Sequence, residues 1–140
     1  MFVPVGGSTQ TTIRRLAKGD EDVVRALAED GRPQTALLAD ERTVFIAAFD
    51  GERPIGFAFG YLLPRRHGEP SMLFVYELGV DEPYRRRGLA TQLMRELFAH
   101  GGGAEAFVLT EPENDAANAV YAKLGGKRSE VAMWDYPSAE

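Results

Sequence analysis

Three arginines in succession, Arg85-Arg86-Arg87, run directly into Gly88, and Leu89, Leu93, Met94 and Leu97 then recur at helical spacing. A helix is therefore expected from about Arg87 to about His100. Its first backbone N–H groups lack partners inside the helix and sit at the positive end of the helix dipole, so they attract an anion. Gly88 has no Cβ to keep a ligand away from the backbone, and the guanidinium groups add charge at the same point. The chemistry predicted is capture of a diphosphate. A solvated basic turn at the start of an ordinary helix is the plain alternative.

Such a turn has to be aimed by what precedes it. Leu73 to Val80 is rich in β-branched, aromatic and aliphatic residues, as a buried strand requires, and Asp81-Glu82-Pro83 ends it. Glu77 stands in the middle of that strand. A carboxylate is costly to bury without a partner, so Glu77 is expected either to face an opening or to pair with an arginine.

At 140 residues and 44% hydrophobic content the chain suffices for one packed domain and is short for two. A single domain over 1–140 is expected, with residues 1–10, which include Gly6-Gly7-Ser8-Thr9-Gln10, as a flexible tail. No apolar run is long enough to span a bilayer and Met1 to Gly7 does not resemble a secretory signal, so a cytoplasmic protein is expected, with no membrane partner. Without cysteine there is no disulfide, thiolate metal site or covalent cysteine intermediate, and His67 and His100 are too isolated to predict a metal. A net charge of -5 disfavours nucleic acid and favours a cationic small molecule or basic peptide.

The remaining pattern alternates. A strand is expected over Thr11 to Leu16, a helix capped by Asp20 with Val23, Val24, Leu27 and Ala28 on one side, and a short helix over Thr35 to Asp40. Two strands, Thr43 to Phe49 and Pro54 to Leu62, are joined at Asp50-Gly51, a hairpin signal. After the arginine turn and its helix, Gly101-Gly102-Gly103 is a stop. A strand from Ala104 to Thr110, a helix from about Asp115 to Leu124 and a final strand from Lys127 to Tyr136 complete the list.

Two motifs carry a resemblance. Arg85-x-x-Gly88-x-Ala90 after a strand resembles the acetyl-coenzyme A signature of the GNAT N-acetyltransferases. Asn114-x-x-Ala117-x-x-x-Tyr121-x-x-x-Gly125 resembles that family's helix beside the cofactor arm. The element order is similar to the GNAT fold from about Thr11 to Pro137: an α/β (α+β) arrangement with a mixed central sheet, splayed strands and about four flanking helices. One departure stands out. The usual member has two strands after the tyrosine helix and this chain has room for one, so completion of the sheet across a homodimer is expected.

The resemblance implies a direct acetyl transfer from acetyl-coenzyme A with no metal. Backbone groups of Leu78 and Val80 would bind the pantetheine arm as an added strand, with Gly79 easing its approach, and the Val80 N–H would polarise the thioester oxygen. Arg85, Arg86, Arg87, Gly88, Leu89, Ala90 and Thr91 would hold the diphosphate, with Asn114 and Ala117 beside the cofactor. Tyr121 would protonate the leaving thiolate, and Glu77 would hold the acceptor's ammonium and take its proton.

A narrower resemblance rests on Tyr76-Glu77-Leu78-Gly79-Val80 followed by Tyr84-Arg85-Arg86-Arg87-Gly88, on Val120 to Gly125 and on Glu130 to Asp135. These look like the type I aminoglycoside 3-N-acetyltransferases, whose pattern has Asp where this chain has Glu77. Glu111, Glu113, Asp115 and Asp135 would then meet a polycationic aminoglycoside, although acids at a helix start also serve the dipole alone. The other readings are the same chemistry on another small amine or a peptide N-terminus, and a non-catalytic coenzyme A-binding module.

Overall fold

A computed structural model describes residues 10–28, 32–67 and 71–139. The expected tail lies outside the described residues except for Gln10. The chain divides into two compact units, one ending at Leu109 and one beginning at Thr110.

The first unit is a five-stranded sheet in the order β1-β2-β3-β4-β5, formed by Thr11–Arg15, Thr43–Asp50, Arg53–Leu63, Met72–Val80 and Ala106–Val108. The first four strands are antiparallel and β5 joins β4 in parallel, so the sheet is mixed as expected. The Asp50-Gly51 hairpin forms as read: Asp50 pairs with Arg53, and Gly51 supplies the left-handed turn at φ 62.

Directly paired residues share a face of the sheet. Phe45 pairs with Phe59 and Ala47 with Phe57, which puts the phenylalanines on one side. There they join Leu16, Phe49 and Val24 of helix α1 (Glu21–Leu27) in a buried cluster. The alternating residues Val44, Ile46, Ala58, Leu73 and Val75 point the other way, toward helix α2 (Leu89–Ala99), which packs on β2, β3 and β4. Leu93, Met94 and Leu97 of α2 are fully buried there, worth about 2 kcal/mol each. Leu93→Ala would cost about 3 kcal/mol.

Several boundaries differ from the sequence reading. Asp20 does not cap α1; its carboxylate takes both Arg14 Nη atoms at 3.0 Å and the Ala17 N–H at 2.9 Å instead. The short second helix is a 3-10 turn, Thr35–Ala39. Helix α2 starts at Leu89 rather than Arg87, because Gly88 sits at φ 78, outside helical space. Strand β5 has three residues rather than seven.

The second unit holds helix α3 (Asp115–Lys123), started by Asn114, whose side chain accepts from the Ala117 N–H at 3.1 Å. The expected last strand, Lys127 to Tyr136, is not formed: no described residue after Leu124 belongs to a helix or strand. Alternation of apolar and polar residues supplies strand propensity, but a strand exists only when its N–H and C=O groups find an edge to pair with. Val131, Met133, Trp134 and Tyr136 are correspondingly exposed, Trp134 at 79%.

Candidate functional site

The arginine turn is built by a break in strand direction. After Val80 the chain makes a single 3-10 turn, Glu82–Tyr84, with Pro83 in it, and then passes through two left-handed residues, Arg86 at φ 65 and Gly88 at φ 78. Only glycine takes up the second without penalty, and a Cβ there would meet nothing within 4 Å, so the backbone lies open to a ligand. The first helical bond of α2 runs from the Gln92 N–H to the Gly88 carbonyl at 3.1 Å. The N–H groups of Leu89, Ala90 and Thr91 therefore have no acceptor within the helix. The side chains of Leu89 and Thr91 are buried, which restricts both residues to backbone contacts with an anion.

Each arginine is placed differently. Arg85 donates through Nε to the Val80 carbonyl at 2.7 Å, tying the turn to the end of β4. Arg86 lines a shallow hollow with Glu82 and Arg85. The Arg87 guanidinium lies over the Tyr84 ring, 5.6 Å from its centre. Tyr84 and Asp50 are the anchors that the sequence reading missed. The Tyr84 hydroxyl donates to the Asp50 carboxylate, which pushes the Tyr84 pKa up. Only the tyrosine before the arginines could have signalled this, since Asp50 lies 34 residues earlier.

Strands β4 and β5 pair only from Leu73 to Val75, against Ala106 to Val108. From Tyr76 to Val80 the β5 side of β4 has no neighbouring strand among the described residues. The Asp81 N–H donates inward to the Ile55 carbonyl of β3 at 2.8 Å. Backbone groups alternate in direction along a strand, so the N–H and carbonyl of Val80 face the opposite side, into this opening. Arg85 takes the carbonyl, leaving the N–H as the donor aimed there. Leu78 shares that direction, two residues earlier.

Gly79 also answers to the core. A Cβ there would come within 2.9 Å of the Phe57 ring, so its missing side chain makes room for that ring. Glu77 is exposed and lies beside a β-bulge: Phe59 pairs with Glu77 and Gly60 with Val75, which leaves Tyr76 as the extra residue. Gly60 permits this, since a Cβ would stand 2.4 Å from the Phe74 carbonyl oxygen. The bulge brings Glu77 onto the phenylalanine face, close to Tyr61. Burial pushes the Tyr61 pKa up, and the electrostatic influence of Tyr76, Glu77 and Asp40 adds to it.

In the second unit, Tyr121 is partly buried on α3, and burial raises its pKa above the ordinary tyrosine value. Its hydroxyl therefore keeps its proton at neutral pH, as a general acid must. Asn114 uses its side-chain oxygen as the α3 cap, and Ala117 receives that bond through its N–H. Asn118, also missed from sequence, ties the preceding loop down by donating to the carbonyls of Glu111, Pro112 and Asn114. Glu111, Glu113 and Asp115 are exposed around that loop, and Asp135 is exposed in the segment after α3.

The acetyltransferase (GNAT) family model matches residues 12–126, and the chain belongs to that family. It is an N-acetyltransferase by that membership. N-alpha-acetyltransferase RimI of Mycobacterium tuberculosis is 29% identical over 129 residues, covering 90% of this chain and 79% of that protein. An L-2,4-diaminobutyric acid acetyltransferase of Halalkalibacterium halodurans is 32% identical over 84 residues; the match takes in 56% of this chain but only 42% of that protein. Among solved structures, an aminoglycoside acetyltransferase from an uncultured soil metagenomic sample matches with a TM-score of 0.78 at 27% identity, over 94% of this chain and all of that one. AAC(6')-Iy, solved with a bisubstrate analogue, shares the fold with a TM-score of 0.75 at 21% identity, over 94% of this chain and all of that one. No helix among the described residues is long and apolar enough to cross a membrane.

Proposed function

We propose that this N-acetyltransferase uses acetyl-coenzyme A to acetylate an amine of an aminoglycoside, the 3-amino group of the deoxystreptamine ring, and that it does so in the cytoplasm, where the outcome is antibiotic resistance. The observation that carries the cofactor reading is the opening of β4 from β5 beside a helix start with three orphan N–H groups and three arginines. The diphosphate is held by the N–H groups of Leu89, Ala90 and Thr91 with Arg86 and Arg87, and the pantetheine amides pair with Leu78 and Val80. The family match from 12 to 126 runs through both compact units, which supports reading them as one acetyltransferase domain.

The acceptor arrives as an ammonium and gives a proton to Glu77, directly or through water. Its nitrogen lone pair attacks the thioester carbonyl carbon while the Val80 N–H stabilises the developing oxyanion. The C–N bond forms, the nitrogen loses its second proton to solvent, the C–S bond breaks, and Tyr121 gives its proton to the departing sulfur and regains one from solvent. Amide, free thiol and one net proton are the products. Glu111, Glu113, Asp115 and Asp135 attract the remaining ammonium groups. The exposed Val131, Met133, Trp134 and Tyr136 support a homodimer in which 127–136 completes a sheet.

The aminoglycoside reading is supported by the 27% identical metagenomic enzyme, whereas the 3-amino position rests on the sequence motifs, the 6'-type enzyme being a fold relative. A peptide N-terminus is the second reading, favoured by the match to RimI over 90% of the chain. Thiol release from acetyl-coenzyme A, measured across aminoglycosides, polyamines and short peptides, separates the two. Mass spectrometry with fragmentation of the product locates the acetylated nitrogen. Turnover confined to peptides would replace the aminoglycoside reading.

A further inference from the structure

The phenylalanine face of the sheet does not end where α1 stops covering it. Phe45 stacks on Phe59 with ring centres 5.0 Å apart, and both are buried. From Phe59 a row of rings leads outward across the strands. Tyr76 stands 5.6 Å from Phe59 and 5.6 Å from Tyr61, Phe74 stands edge-on to Tyr76 at 5.7 Å, and Phe107 stacks on Phe74 at 4.8 Å and 5°. The outer members are uncovered: Tyr76 is 55% exposed and Phe107 is 37% exposed. Large rings exposed side by side mark a surface for interaction or ligand binding.

Ordinary alternation puts Phe74 and Tyr76 on this shelf, and the β4 bulge places Glu77 at its inner end. An unbulged strand would alternate faces, and Tyr76 and Glu77 could not both meet the ring row. We propose that the shelf of Tyr76, Phe74 and Phe107 is the acceptor platform, on which the C–H face of a cationic amine lies flat while its ammonium reaches Glu77. The inference rests on the reading of Glu77 as the acceptor end of the reaction. Aromatic faces carry negative quadrupole charge and attract both cations and the polarised C–H groups beside an ammonium. The acidity of the chain, -5 overall, and the carboxylate beside the rings favour such a guest over a neutral or anionic one. A saturated ring bearing several amines fits a flat shelf better than a flexible chain does, because it loses less conformational freedom on binding.

The test uses the full-length protein with neamine as the ring probe and spermidine as the ring-free one. Tyr76→Ala and Phe107→Ser, both at exposed positions, should raise the KM for neamine roughly tenfold or more while the KM for acetyl-coenzyme A holds. Saturation-transfer NMR should show the neamine ring protons receiving magnetisation from aromatic protons, and Tyr76→Ala should abolish it. Tyr76→Leu, which keeps bulk but no ring, serves if the alanine variant is unstable. Unchanged neamine KM in folded variants overturns the shelf and leaves the aminoglycoside reading standing. If the wild type acetylates only peptides, the aminoglycoside reading fails, and the same variants assayed on a peptide decide the shelf: a raised KM upholds it and an unchanged one overturns it. If instead the variants convert a dimer to a monomer in sedimentation while KM is unmoved, the shelf is an interface between copies and the inference is wrong. Glu77→Gln, run in parallel, separates failure at the carboxylate from failure at the rings.

Discussion

The hydroxyl of Tyr84 donates to the carboxylate of Asp50, fastening the arginine turn to the tip of the β2–β3 hairpin. Arg87 lies over the same tyrosine ring, so one residue positions both the backbone of the turn and one of its cations. Tyr84→Phe keeps the ring and removes the tether. The KM for acetyl-coenzyme A should rise several-fold with kcat little changed, and Asp50→Asn, which can still accept, should be milder. Equal effects on KM for both substrates would point to general loosening of the fold instead.

Gly88→Asp places a Cβ at φ 78 and a negative charge where a diphosphate is expected. Calorimetric affinity for coenzyme A should fall below detection, against a loss of roughly tenfold for Arg86→Ala or Arg87→Ala. Gly88→Ala isolates the backbone penalty, about 1 kcal/mol for a left-handed residue. Wild-type affinity in Gly88→Asp would refute the cradle.

Tyr121→Phe retains the packing of α3 and removes the acid, so kcat should fall roughly 10- to 1000-fold with coenzyme A affinity unchanged. Burial raises the tyrosine's pKa, so its acid form persists through neutral and mildly alkaline pH. The wild-type kcat should accordingly show no alkaline decline until the pH passes the ordinary tyrosine range. A decline near pH 8 that survives in Tyr121→Phe would belong to another group.

Glu77→Gln preserves shape on an exposed strand position and removes the charge. Acceptor KM should rise and kcat fall, a combined loss of about 1.5 to 3 kcal/mol for a charge-assisted hydrogen bond. Glu77→Asp should be milder. Removing Glu111, Glu113 or Asp135 should mainly raise acceptor KM and flatten its dependence on salt.

Asp20 accepts from both Arg14 nitrogens and from Ala17, and the Arg14 hydrogen bond holds its carboxyl below the usual aspartate value. A depressed carboxyl stabilises the fold above its unfolded pKa and loses that contribution as pH falls through the folded one. Asp20→Asn should therefore lower thermal stability at pH 7 by about 1 kcal/mol, a figure kept small because Arg14 is half exposed and screened. The gap between wild type and variant should close below about pH 3.

Local signals were sufficient for most of the frame. The apolar runs of β2, β3 and β4, the Asp50-Gly51 turn, the spacing of Leu89, Leu93 and Leu97, and the Asp115 start of α3 each depend on residues a few positions apart, and each stands where the sequence placed it. The arginine turn was legible for the same reason, since a helix start and its charges lie within one short segment. The demand of the Phe57 ring on Gly79 was not legible, because that ring belongs to another strand. Asp20 was misread because Arg14 competes for its carboxylate across a turn. The 127–136 segment has the alternation of a strand, but pairing requires an edge, and no alternation pattern within one segment specifies where that edge is. The β4 bulge decided the rest. One unpaired residue, opposed by a glycine 16 positions earlier, swings Glu77 onto the face that already carries Tyr76 and a row of rings from four strands, a register effect that exists only once the strands have paired.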